Sequence, residues 1–353
     1  MLKLSTKSLE ISLTGKLVLK TLFVLIVLIG LLEGVARLPW PTDRIPAPSM
    51  GTYYIIDIEL SRLADYVQEN DGVDVIIFGS SLAHSGLDPE IIENVFQQGT
   101  GQNLRVFNCG VTGMSLLPAT SFVKIITQSY NPTLIIHVTE MRDYSSLTTG
   151  GLIHSVANDP WFHYKLGKFS PKGWIIDHSM AMQRYLSFRF WVRDDFPAWY
   201  SLLQKRLVDI TPWGFEADRR VADDLNASPD PNNEKDKYML DAYEDYQVAP
   251  ERVESLKDVL SQPDKKVVIV EMPVHSAALQ YFGDPSEDYQ EYITTVEQTV
   301  QDYGGKFIST ANLNIPNIGY SNKFHLNQDG APLFSEFLAQ ELVHLYNTGW
   351  YQP

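Results

Sequence analysis

A three-layer α/β/α sandwich around a parallel central sheet, preceded by one N-terminal transmembrane helix, is the fold class this sequence predicts. Three observations carry that reading. Short, largely apolar segments alternate with longer segments of helical periodicity. The short segments lack the apolar/polar alternation of a half-exposed strand, so they read as strands buried on both faces. A composition of 44% hydrophobic and 20% charged residues is too apolar for a disordered chain and too polar for a polytopic membrane protein.

Taken in order, the first element is the apolar run Thr21–Leu32, extended by Leu17–Leu19 and Gly34–Ala36 to about 20 residues, the length of a membrane span. Residues 1–37 hold five basic side chains (Lys3, Lys7, Lys16, Lys20, Arg37) against Glu10 and Glu33. Their net charge of +3 contrasts with −15 for the whole chain of 353 residues. The lysines before the run place the N-terminus in the cytoplasm and the body outside. Two other readings stand beside the signal anchor: secretion after cleavage near Ala36, at the small-x-small site Gly34-Val35-Ala36, and a buried core helix. The last fits poorly, because the apolar residues occupy every helical face.

Pro39, Pro41, Pro46 and Pro48 make 38–54 a stiff linker. Ile55–Glu69 then reads as an amphipathic helix stopped by Asn70-Asp71-Gly72. Strands are expected at Val73–Phe78, Leu104–Asn108, Thr133–Val138, Lys266–Glu271 and Lys306–Ser309. Helices are expected at Pro89–Gln97, Ser115–Ser129, Ser286–Tyr303 and Gln328–Tyr346. The pattern breaks over about 150–250, read as an insertion within one domain covering 55–347. That stretch holds five of the seven tryptophans: Trp161, Trp174, Trp191, Trp199 and Trp213. They either form a carbohydrate platform, fill the insert or sit at a membrane interface. Cys109 is the single cysteine, so no intrachain disulfide forms and no cysteine metal cluster exists. The acidic balance argues against nucleic acid as a partner. No cofactor is expected, and His154, His163 and His178 lack metal-ligand spacing.

Chemistry-bearing residues fall at strand ends. Phe78-Gly79-Ser80-Ser81-Leu82-Ala83-His84 follows the first strand and opens a helix, placing hydroxyls at the sheet's carboxyl edge. A plain Gly/Ser turn with an N-cap has the same sequence. Asn108-Cys109-Gly110-Val111-Thr112-Gly113-Met114-Ser115 follows the second strand, where glycine lets backbone approach a ligand. Asn322-Lys323-Phe324-His325-Leu326-Asn327-Gln328-Asp329-Gly330 precedes the last helix.

The order and spacing of these three blocks resemble the SGNH/GDSL hydrolase superfamily over about 73–145 and 264–347. The resemblance implies Ser81 as nucleophile, Gly113 as an oxyanion-hole donor and His325 as the general base. It departs at two places. The family's Asp-x-x-His reads Asn322-x-x-His325, and its Gly-x-Asn-Asp block falls at Val138-Thr139-Glu140-Met141-Arg142-Asp143 without the asparagine donor. Arg142 either replaces that donor or pairs with Glu140. Similar losses occur in a divergent membrane-anchored branch that includes cell-envelope D-alanylation and alginate O-acetylation proteins. Ser80, His84, Glu140 and His275 are expected to line the substrate pocket.

The resemblance implies a membrane-anchored, extracytoplasmic serine esterase or O-acyltransferase acting on acyl esters of a cell-envelope or extracellular polysaccharide. Its implied partners are membrane lipid, the acylated polymer and a membrane-bound acyltransferase. The alternative is a catalytically silent module of the same fold that binds or scaffolds an envelope polymer complex.

Overall fold

The computed structural model describes residues 15–40, 48–51, 54–145, 156, 158–193, 209–243 and 245–353. Its first half runs α1 (Gly15–Ala36), α2 (Tyr54–Asn70), β1 (Val75–Phe78), α3 (Ser81–Gly86), α4 (Pro89–Thr100), β2 (Val106–Asn108), α5 (Leu116–Tyr130) and β3 (Leu134–Thr139). Then follow α6 (Pro160–Lys165), α7 (Pro171–His178), α8 (Met180–Arg193), α9 (Glu234–Tyr243), α10 (Pro250–Leu260), β4 (Lys266–Glu271), α11 (Pro285–Asp302), β5 (Lys306–Ile308) and α12 (Gly330–Asn347).

Local chemistry sets the boundaries. Asp88 caps α4 by accepting from the Glu90 amide, Pro89 supplies a preset first turn, and Gly101 closes the helix in the left-handed region. Asn131 does the same for α5 at φ 51°.

All five strands are parallel, in the order β2-β1-β3-β4-β5. Successive side chains of β1 enter opposite cores. Val75 and Ile77 join Ile136, Val268, Phe334 and Leu338 on one side, while Ile76 and Phe78 join Phe107, Ile135 and Ile269 on the other. Each such buried chain contributes about 1.5–3 kcal/mol. Burial on both faces is why the strands show no polar alternation. One helix layer packs α12 on α4, with α3 beside α12. The other packs α10 against α5 and α11. The strand order reverses direction at β1, so the connections leaving β1 and β3 diverge and open a crevice at their carboxyl ends.

Two elements stand outside the sandwich. The apolar side chains of α1 face outward along its length, which rules out the core-helix alternative. Its segment Leu17–Ala36, of mean hydropathy 2.4, is long and apolar enough to cross a membrane. The insert is joined to the body, because Trp161, Phe162, Ile176 and Leu186 belong to the core on the α5 side. Of the expected linker, 41–47 and 52–53 lie outside the described residues, as do His154, Trp199 and the Trp191 side chain.

Candidate active site

The turn after β1 is built by Gly79. Its φ is +153°, and a Cβ there would lie 2.7 Å from the Val138 carbonyl oxygen. Only glycine lets the chain leave β1 against the β3 backbone. Ser80 then caps α3, its hydroxyl accepting from the Leu82 amide at 3.3 Å. Ser81 is the first residue of α3, so its N–H has no intrahelical acceptor.

The Ser81 hydroxyl lies 2.8 Å from His325 Nε2. On the ring's other side, Asn322 Oδ1 lies 3.1 Å from His325 Nδ1. The same oxygen accepts from the Phe324 amide at 2.9 Å and the His325 amide at 3.1 Å. Backbone amides can only donate, so the side-chain atom facing them is the oxygen and not the NH2 group. Nδ1 must therefore carry the proton, which leaves the Nε2 lone pair to accept from the Ser81 hydroxyl. Burial, reinforced by the positive charge of Arg142, lowers the His325 pKa to about 4. The ring is neutral at pH 7 and able to act as a base.

The turn after β2 wraps the same edge. The Cys109 amide donates to the Ile77 carbonyl at 2.7 Å and the Val111 amide to the Gly79 carbonyl at 3.0 Å. Asn108 Nδ2 donates to the Ala83 and Leu87 carbonyls, tying β2 to α3. A Cβ on Gly110 would meet the His84 backbone nitrogen at 2.4 Å. Gly113 sits exposed in this turn at φ +81°.

After β3, Glu140 caps a single 3-10 turn at Met141–Tyr144, in a reciprocal box with Asp143. Its carboxylate accepts from the Arg142 amide at 3.0 Å and from the buried Tyr243 hydroxyl at 2.9 Å, and pairs with Arg142 Nε at 2.9 Å. Burial and the neighbouring Glu140 push the Asp143 carboxyl up from its ordinary value. Of the two sequence alternatives for Arg142, the ion pair with Glu140 is present, and the residue also lines the cavity that holds Asn322 and His325.

That cavity encloses about 820 Å³, and its wall includes Asp223, Asp224, Lys235, Asp236, Tyr238 and Tyr281. Lys323 crosses it, donating to the Ala227 carbonyl at 2.6 Å with its ammonium 4.9 Å from the Tyr281 ring centre.

Four expected pocket residues are placed elsewhere. Ser80 is buried and spends its hydroxyl on the α3 cap. His84 is buried between two carboxylates, 2.9 Å from Glu216 and 3.5 Å from Glu59. Glu140 lies behind Arg142, holding it. His275 lines a second depression, of about 360 Å³, where it caps a 3-10 turn through the Ala277 amide and faces Asn317 at 3.2 Å. Each carries a polar side chain near a strand end, but helix capping and ion pairing claimed it first.

Sequence reading also missed a brace contributed by the insert. The Glu216 amide donates to the His84 carbonyl, the Gln328 amide to the Asp218 carbonyl, and Asn327 Nδ2 to the Arg220 carbonyl. Segment 216–220 thereby ties the helix of Ser81 to the loop of His325. Burial would raise the Asp218 carboxyl, but hydrogen bonds from Arg220 and Ser321 outweigh it and bring the pKa to about 2. No spacing rule marks these residues, which lie more than 100 positions from either block; only the charged run Asp218-Arg219-Arg220 hints at them.

No protein-family model matches the chain, and no curated protein is significantly similar to it. Solved structures that resemble it include esterases. A carbohydrate acetylesterase family member from Sinorhizobium meliloti is 10% identical at a TM-score of 0.35, covering 78% of this chain and 100% of that one. Est24, a carbohydrate acetylesterase from the same organism, is 12% identical at 0.36 over 77% and 99%. An aryl esterase of M. smegmatis is 10% identical at 0.34 over 78% and 100%. Likeness at this level says nothing of chemistry, which has to come from the site itself.

Proposed function

We propose that this chain is a membrane-anchored, extracytoplasmic serine esterase or O-acyltransferase acting on acyl esters of a cell-envelope or extracellular polysaccharide. One observation carries the acyl chemistry: the line from Ser81 Oγ through His325 to Asn322 Oδ1, with hydrogen-bond distances at both ends and a neutral ring between them. As the Ser81 oxygen bonds to the ester carbonyl carbon, its proton passes to His325 Nε2. Ser81 N–H, Gly113 N–H and the Arg142 guanidinium hold the developing oxyanion. Nε2–H then protonates the departing alkoxide. Water releases the acyl group from Ser81 in an esterase, and a sugar hydroxyl takes it in a transferase.

The charged and hydroxyl-bearing side chains in the cavity wall, Asp223, Asp224, Lys235, Asp236, Tyr238 and Tyr281, support a hydroxyl-rich substrate over a long aliphatic one. The outward-facing apolar length of α1 supports the anchor, and the lysines before it support an extracytoplasmic body. Membrane lipid, the acylated polymer and a membrane-bound acyltransferase are the partners of this reading. A second reading, a silent polymer-binding module, draws on the uncharged Asn322 at the orienting position. A fluorophosphonate probe separates the two. Labelling of the wild-type protein that disappears in Ser81→Ala supports the enzyme, and an unlabelled folded wild type favours the silent module.

A further inference from the structure

Residues 160–193 hold six lysines and arginines against one acidic residue, Asp177, in a chain of net charge −15. The fold brings this basic stretch to the end of α1. Glu33 accepts from the Ser179 hydroxyl at 2.9 Å and from the Met180 and Ala181 amides at 2.9 and 3.2 Å, so it caps α8. Arg37 pairs with Glu33 at 2.7 Å and donates to the His178 carbonyl at 3.4 Å. Trp40 packs edge-on against Phe188, beneath the Arg184 guanidinium. The junction of α7 and α8 is therefore held beside the last turn of α1. At 1.5 Å per residue, Glu33 lies roughly 5 Å from the Ala36 end of the apolar segment, within its last turn.

The surface beside that junction is apolar and basic. On α7, Pro171, Lys172, Trp174, Ile175 and His178 face outward, while Gly173 and Ile176 are buried. Trp174 is 52% exposed, and Phe169, just before the helix, is 95% exposed. Tyr185 on α8 is 60% exposed. Lys168 and Lys172 flank Phe169 and are exposed. A large exposed aromatic gains nothing in water but suits the interfacial layer of a bilayer, where its ring is buried and lysine reaches phosphate.

We propose that α7 and the loop before it lie in the headgroup layer of the bilayer that α1 spans, with Phe169, Trp174 and Ile175 below the phosphates and Lys168 and Lys172 on anionic lipid. This rests on the anchor reading of α1. The face then fixes the body's orientation on the membrane together with the Glu33 contacts to α8.

The test uses the full-length protein in bilayers of phosphatidylcholine with phosphatidylglycerol. Nitroxide labels are placed singly at Phe169→Cys, Trp174→Cys and Ile26→Cys; Cys109 is fully buried. At 169 and 174 the labels are expected to collide with dissolved oxygen more than with a water-soluble nickel chelate. Adding Lys168→Glu and Lys172→Glu is expected to lower the docked-to-lifted ratio at position 169 about fivefold per lysine. A lipid-exposed label at 26 with aqueous labels at 169 and 174 overturns this proposal and spares the anchor. An aqueous label at 26 overturns both. Docking unchanged by the lysine substitutions or by omitting phosphatidylglycerol overturns the assignment to anionic lipid.

Discussion

Replacing Asn322 with aspartate puts a charge where the structure now has a neutral oxygen. The Oδ1 atom lies 3.1 Å from His325 Nδ1 and already accepts two backbone amides, so a carboxylate inherits the same geometry. Two unit charges about 4 Å apart attract by about 1 kcal/mol in bulk water and about 4 kcal/mol near a protein surface. Asn322 is exposed, which places the gain toward the lower end, about 1–2 kcal/mol. Because 1.36 kcal/mol is tenfold, Asn322→Asp should raise kcat/KM for p-nitrophenyl acetate about tenfold at pH 7. It should also move the acid limb of the pH profile upward by about one unit from the His325 value of about 4. The sign follows from the ring's role: a carboxylate favours the imidazolium, so the base is lost to protonation at higher pH. Asn322→Ala removes the acceptor and should lower kcat/KM about 10- to 100-fold. An unchanged acid limb in Asn322→Asp, or a rate equal to wild type in Asn322→Ala, refutes the assignment of Asn322 as the orienting partner.

Further expectations concern the neighbouring groups. Arg142→Gln should lower kcat of the esterase assay by about 100-fold, as for other oxyanion donors. It should also raise the acid limb, because the positive charge helping to depress His325 is gone. In the same variant Glu140 keeps only part of its network, so a loss of about 2–4 kcal/mol in denaturant unfolding is expected. Gly79→Ala forces a Cβ to within 2.7 Å of the Val138 oxygen and should cost about 1–3 kcal/mol, read from the denaturation midpoint. Glu216→Gln, beyond the cavity wall, should lower activity less than Arg142→Gln, because it loosens the brace on His84 without touching substrate.

The parts of the molecule that were legible in the sequence share a physical reason. Val75–Phe78 and Leu134–Thr139 are buried on both faces, and mostly apolar residues survive there, with His137 and Thr139 the exceptions in the second, so these strands could be located to within two residues. Ser81 and His325 could be paired because each sits at a strand-end or helix-start boundary marked by glycine. His84 and His275 satisfied the same rule and went elsewhere. The difference lies in partners contributed at long range, Glu59 and Glu216 for one and Asn317 for the other. Sequence spacing contains no trace of such pairs. The basic face of 160–193 was hidden by the opposite problem: its charge is local, but the acidic total conceals it.

The site's chemistry turns on a trade between two demands. A base works best when its pKa is near the working pH, because a weaker base takes a proton less readily. A carboxylate at the orienting position would move His325 toward that value. This chain instead has a neutral Asn322 on one side, and burial together with the cationic Arg142 near by holds the imidazole unprotonated well into acid. The arrangement gives up intrinsic rate and gains a site whose serine can still be deprotonated where an ordinary histidine would be charged. Arg142 recovers part of the lost rate if its charge meets the oxyanion, since the positive group that disfavours imidazolium favours the developing negative oxygen. In the proposed mechanism the same residue both helps to set the acid limit and supplies transition-state charge, so substituting it must move both readouts together. An effect on only one would show that Arg142 acts through Glu140 packing and not on the reacting atoms.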